Sequence, residues 1–133
     1  MNESALTKKI IGCAMKVHRA LGNGYLESVY NHALKHELAK SGVAVEKEVP
    51  LRVRYDGIDV GCFVADLIAE GRVIIELKAV TTLLPAHEAQ LVNYLTTTGI
   101  EIGLLVNFGR GSLEFRRKYR TYQPGRIAPL AAS

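Results

Sequence analysis

Glu76 and Lys78 stand two residues apart inside Val73-Ile74-Ile75-Glu76-Leu77-Lys78-Ala79-Val80, an otherwise apolar run. Such a run reads as a strand, and strand side chains alternate between faces, so the acid and the base emerge together while Val73, Ile75, Leu77 and Ala79 pack the other way. Burying a carboxylate and an ammonium is costly unless each finds a partner. Ten residues earlier, Asp66 interrupts a second apolar run, Cys62-Phe63-Val64-Ala65-Asp66-Leu67-Ile68. The two runs fold back on each other through Glu70-Gly71-Arg72, and register decides whether the acids meet. A two-residue turn sets Asp66 opposite Ile75, on the wrong face. A three-residue turn or a bulge sets it opposite Glu76, and this is the expected arrangement.

Two carboxylates brought together raise each other's pKa unless a divalent cation sits between them and favours both charged forms. Hard oxygen ligands suit Mg²⁺ or Mn²⁺. The Lys78 ammonium at the same rim can stabilise charge on a phosphoryl oxygen or hold an attacking water, while the metal lowers the pKa of that water. These are the parts of phosphodiester hydrolysis. The competing reading of Glu76 and Lys78 is a structural ion pair on an exposed strand face.

The elements that must position these residues follow from periodicity. Leu6, Ile10, Ala14 (or Cys13), Val17 and Leu21 recur at helical spacing, with Ser4 as N-cap and Gly22-Asn23-Gly24 as the break. Leu26, Val29, Ala33, Leu34 and Leu38 mark a second helix that stops at Ser41-Gly42, completing an N-terminal helical hairpin. From Val43 the period becomes two, with Pro50 marking an edge or a bulge. Asp56-Gly57 signals a tight hairpin into a strand over Ile58 to Ala69, and the Glu76 strand completes a three-stranded meander. Pro85 opens a crossover helix that ends at Gly99. Further strands follow over Ile102 to Phe108 and Ser112 to Tyr122. The fold class is therefore α/β, with a mixed sheet flanked by helices. Residues 1–123 are expected to form a single domain, and 124–133 a flexible tail.

Here the residues resemble a known family. Asp66 followed by Glu76-Leu77-Lys78 resembles the active-site signature of the PD-(D/E)XK nuclease superfamily, although Ala65 stands where that signature has proline. Gln90-Leu91-Val92-Asn93-Tyr94 is similar to the QxxxY motif of its RecB-like and lambda-exonuclease-like branches. Gly24-Tyr25-Leu26-Glu27-Ser28-Val29-Tyr30 matches the GxxExxY signature of a small prokaryotic family within it. The resemblance implies a restriction-endonuclease-like core. It implies Asp66 and Glu76 as the main metal ligands, with Glu27 and the Leu77 carbonyl as further ones. Lys78 becomes the catalytic base-type residue, and Gln90 and Tyr94 position Lys78, water or phosphate.

Several residues keep two readings. Glu27 in the first turn of a helix also suits the macrodipole, and Gln90 and Tyr94 are also ordinary helix neighbours. His87 shares their face and either approaches phosphate or is a solvated histidine at the helix start. Arg116, Arg117, Lys118 and Arg120 either grip a nucleic-acid backbone, with Tyr119 stacking on a base, or keep an edge strand soluble. His32 and His36 stand one helical turn apart without a third ligand between them.

Composition sets outer limits. The 133 residues carry 17 Lys and Arg against 13 Asp and Glu, a net charge of +4 that accommodates a polyanion. Cys13 and Cys62 show no zinc or disulfide spacing and are expected to be reduced core residues. No apolar run is long enough to span a bilayer and no basic-then-apolar leader opens the chain, so the expected location is cytoplasmic. The leading expectation is a Mg²⁺-dependent nuclease acting on DNA, possible as a homodimer because a small domain offers little surface to a duplex. The alternatives are a catalytically inactive nucleic-acid-binding or partner-docking module, and an RNA-directed nuclease.

Overall fold

Asn2 starts the first helix, its side-chain oxygen accepting from the Ala5 N–H at 2.8 Å. It takes the N-cap place expected of Ser4, because the helix α1 (Glu3–Leu21) opens one residue ahead of that serine. The stripe Leu6, Ile10, Ala14 and Val17 packs against α2 (Glu27–Lys40), which contributes Tyr30, Leu34 and Leu38 to the same buried cluster. In the computed structural model, residues 1–120 are described. The expected tail at 124–133, and the continuation of the last strand to Tyr122, lie outside them.

Two-residue alternation then builds β1 (Val45–Tyr55) and β2 (Ile58–Ala69), joined by Asp56-Gly57. Both turn residues take positive φ, 54° and 77°, and Tyr55 faces Ile58 across them, which is the geometry of a type I′ hairpin. β1 is a sheet edge, so Pro50 needs no ladder donor on its outer side. β3 (Val73–Lys78) pairs antiparallel with β2, Ala69 facing Val73, so the connection is the three-residue turn Glu70-Gly71-Arg72.

The crossover helix α3 (Pro85–Thr98) begins on Pro85 and ends at Gly99, which adopts the left-handed conformation with φ 76°. It returns the chain to β4 (Ile102–Asn107), parallel to β3, and β5 (Glu114–Tyr119) closes the sheet antiparallel to β4. The strand order is β1-β2-β3-β4-β5, a mixed sheet with α1 and α2 packed on one face and α3 on the other. No helix among the described residues is long and apolar enough to cross a membrane. Cys13 is buried as expected, but Cys62 is exposed, because its stretch of β2 extends past the covering helices.

One irregularity sits at the centre. Lys47 faces Leu67 and Val49 faces Ala65, which leaves Glu48 level with Asp66, and Glu48 takes φ 54°. Leu67 and Ala69 pack with α1 and α2, yet Ala65 and Leu51 pack with α3, although strict alternation would keep 65, 67 and 69 on one face. The hairpin therefore turns over at the Glu48/Asp66 level.

A second constraint closes the far end of β3. Asn107, fully buried, accepts from the Val80 and Gly109 N–H groups and donates to the Val80 carbonyl and to Glu114. A Cβ at Gly109 would collide with the Val80 backbone, so only glycine permits this approach. The Phe108 N–H also donates to the Lys78 carbonyl at 2.8 Å. Replacing Asn107 with Ala strips these bonds from a buried site, and urea unfolding is expected to show a loss of about 2–4 kcal/mol. A loss below about 0.5 kcal/mol, the scale of an ordinary surface substitution, would show that the clamp is not needed.

Candidate active site

The ladder between β2 and β3 runs from Ala69/Val73 to Leu67/Ile75 and then stops. Beyond that point the two acids take its place. The Asp66 N–H donates to the Glu76 carboxyl at 3.1 Å, and the Leu77 N–H donates to the Asp66 carboxylate at 2.8 Å. Each acid thus holds the other strand's backbone, and the three-residue turn that the sequence required is what brings them level.

Glu76 is only 6% exposed. Burial first, and the neighbouring Asp66 charge second, push its carboxyl up to about 9, against a partial counter-pull from Lys78. Lys78 lies half-buried at the end of β3 on the same strand face. From α3, Tyr94 is buried over this pair. Its phenol is shifted upward by burial, and then by the negative charges of Glu76 and Asp66. Gln90, one turn earlier on α3, is exposed and lines the cleft beside Tyr94.

Asn31 enters from the other side of the sheet. Its amide nitrogen donates to the Asp66 carbonyl at 3.4 Å, while its buried side-chain oxygen has no partner among the described residues. Sequence reasoning missed it. The available signal was its place one helical turn after Glu27 on α2. Glu27 is exposed at the start of α2, and among the described residues no third His, Cys, Asp or Glu joins Asp66 and Glu76 to form a three-residue metal cluster. Tyr30 explains how the loop before Glu27 is held. Its hydroxyl donates to the Gly22 carbonyl at 2.6 Å and accepts from the Tyr25 N–H, while its ring stacks on Phe108 at 4.5 Å.

Most of the remaining residues singled out in the sequence make contacts within the fold. His87 accepts the Leu84 N–H through Nδ1 at 3.0 Å, capping α3. On β5, Arg116 pairs with Glu114, Lys118 pairs with Glu88 at 3.0 Å, Arg120 pairs with Glu101, and Arg117 donates to the Thr7 hydroxyl. His32 bonds the Ser28 carbonyl, and among the described residues no third His, Cys, Asp or Glu joins it and His36 in a metal cluster.

The upward shift of Glu76 has a stability signature. A carboxyl whose folded pKa is raised above the ordinary 4.5 stabilises the fold below that value and loses its contribution as pH rises through about 9. Metal-free protein is therefore expected to melt at progressively lower temperature between about pH 5 and pH 9. Glu76→Gln, which keeps the acceptor for the Asp66 N–H, should flatten that slope and melt higher at the alkaline end. Parallel melting curves in EDTA for the two proteins would refute this account of the pair.

Comparison with known proteins agrees with the geometry. Among curated proteins none matches the sequence. The crystal structure of SSO0001 superposes with a TM-score of 0.54 at 22% identity, covering 72% of this chain. The chain spans 50% of the length of that protein, and the likeness is one of fold. Residues 4–118 match the PD-(D/E)XK nuclease superfamily, whose members generally use divalent metals and act on nucleic acid. With that match running through both helices of the hairpin, the acid-bearing strands and the crossover, the chain belongs to the PD-(D/E)XK nuclease superfamily.

Proposed function

We propose that this protein hydrolyses phosphodiester bonds of DNA, using Mg²⁺ or Mn²⁺ held by Asp66 and Glu76. The observation that carries the reading is the buried carboxyl pair itself. Glu76 is held neutral by burial beside Asp66, and a divalent cation is the partner that lets both ionise together. The unpartnered Asn31 oxygen beside Asp66 also fits a hydrated ion, since an orphaned buried acceptor costs about 1–3 kcal/mol that a donating water would offset. The Leu77 carbonyl and Glu27 are the further ligands proposed, Glu27 from its exposed place at the α2 start.

When bound, the cation supplies Lewis-acid polarisation of the phosphoryl oxygen and lowers the pKa of water. The chain's own residues do the rest. Asp66 and Glu76 enter the reaction already oriented, because their carboxyl oxygens are fixed by main-chain donors. Lys78, clamped at its carbonyl by Phe108, holds its ammonium at the rim for the attacking water or the developing phosphoryl charge. Tyr94 remains a neutral phenol, a donor to phosphate or water, and Gln90 supplies an amide on the same cleft wall. His87, Arg116, Arg117, Lys118 and Arg120 are proposed to contact the backbone of the nucleic acid. Each would have to exchange a contact it now makes within the fold.

Purified protein is expected to cut DNA with Mg²⁺ or Mn²⁺ and to stop in EDTA. Lys78→Ala and Asp66→Ala should each lower the rate by about 10²-fold or more. Single-stranded, duplex and branched DNA belong in the same assay, with RNA beside them. Metal-dependent cutting that survives in both variants would overturn the assignment of the site. Cutting of RNA alone would overturn the choice of DNA.

A further inference from the structure

β1 and β2 run 11 and 12 residues, whereas β3, β4 and β5 run 6 each. The outer half of the hairpin, beyond the turn-over at Asp66, thus projects past the sheet as a two-stranded ribbon. Between this ribbon and α3 lies a cleft of about 290 Å³, lined by Val53 and Phe63 from the ribbon and by Gln90, Asn93, Tyr94 and Thr97 from α3. Phe63 is 44% exposed, unusual for a phenylalanine on a strand, and its ring stands 5.7 Å from that of Tyr94 at a 42° tilt.

The polar groups of the cleft are uncommitted. Thr96 and Thr98 return their hydroxyls to helix carbonyls four residues back. Gln90, Asn93 and Thr97 make no side-chain hydrogen bond among the described residues and converge on the same space. Tyr94 joins the cleft to the acids, whose charges act on its hydroxyl. Phe63 precedes Asp66 by three residues on one strand, about 10 Å at strand rise, which is within the reach of one nucleotide from phosphate to base.

We propose that this cleft receives one unstacked nucleobase of the strand being cut, from the nucleotide adjoining the phosphate at Asp66 and Glu76. The proposal rests on the nuclease reading of that site. A planar heterocycle with a polar edge is the occupant the lining fits: an aromatic ring for its face, and two amides and a hydroxyl for its edge. The volume is at the small end for ligand sites, enough for one base and too small for a base pair or a helix. A base can enter only when it leaves its stack, so substrates with a free base are favoured: single strands, or duplexes from which a base flips out.

Full-length protein carrying Lys78→Ala, in Mg²⁺, is titrated with DNA strands bearing the fluorescent base 2-aminopurine at successive positions. The fluorescence should be quenched at one position only, next to the phosphate that the wild-type protein cuts. Adding Phe63→Ala should abolish that quench and weaken binding about tenfold. Asn93→Ala, exposed on α3, should weaken it independently of the ribbon. In the cleaving protein, an abasic residue at that position should raise KM about tenfold, and Phe63→Ala should add nothing on the abasic strand. Matched and mismatched duplexes separate the two sources of a free base: a position-specific rise in the mismatched duplex, where leaving the stack brightens 2-aminopurine, shows flipping, and a response confined to single strands shows the other. Cutting that is indifferent to abasic residues at every flanking position, or 2-aminopurine that responds nowhere, would overturn the proposal. If the wild type cuts nothing while position-specific quenching persists and depends on Phe63, the nuclease reading fails and the base-binding cleft stands.

Discussion

Everything in the site depends on one substitution of hydrogen-bond partners: where the β2–β3 ladder ends, the carboxyl groups of Asp66 and Glu76 take over the main-chain donors that the ladder would have used. A buried backbone N–H left without a partner costs on the order of 1–3 kcal/mol, so strands cannot simply part company inside a protein. Here they part because the acids bridge the opening. The same bonds fix the carboxyl oxygens in place without help from substrate, which is what preorganisation requires. Their cost is visible in Glu76, whose charge the fold suppresses.

The surrounding elements serve that opening from three directions. Below it, Glu48 with positive φ lets the edge strand turn over level with Asp66, freeing the aspartate from regular pairing on that side as well. Behind it, α2 sends Asn31 to the Asp66 carbonyl. Above it, α3 lays Tyr94 over the carboxyl pair. The site lies toward the carboxyl ends of the parallel strands β3 and β4, the usual place for ligands in sheets with a crossover. Tyr30 stacked on Phe108 ties the start of α2 to that same end.

Much of this was legible in the chain because it is local. Asp56-Gly57, Pro85 and Gly99 mark their turns and caps through the backbone conformations they allow, and two-residue alternation set the strands. The register argument at Glu70-Gly71-Arg72 was also readable, since only an odd turn lets the two acids meet. What escaped was long-range. No periodicity reveals that Glu48 would leave the β region, or that Asn107 would clamp Val80 across 27 residues. The partners of the basic run on β5 are long-range too, since the fold brings Glu88 and Thr7 to it from 30 and 110 residues away. Cys62 read as core because its neighbours are apolar, but the ribbon that bears it leaves the core behind.

The clamp of Asn107 and Gly109 on the exit of β3 bears on the order in which the candidate site comes into being. Asp66, Glu76 and Lys78 are all synthesised by residue 78, and their strands can pair as a local meander. The carbonyl of Lys78 and the backbone of Val80 are fixed only when β4 has returned alongside, after the whole crossover. Closing so long a loop is entropically costly and comes late relative to hairpin formation. A chain still emerging from the ribosome therefore carries both acids and the lysine before the exit of their strand is fixed. On the function proposed above, the fold itself would act as the safety catch on a protein made in the presence of nucleic acid.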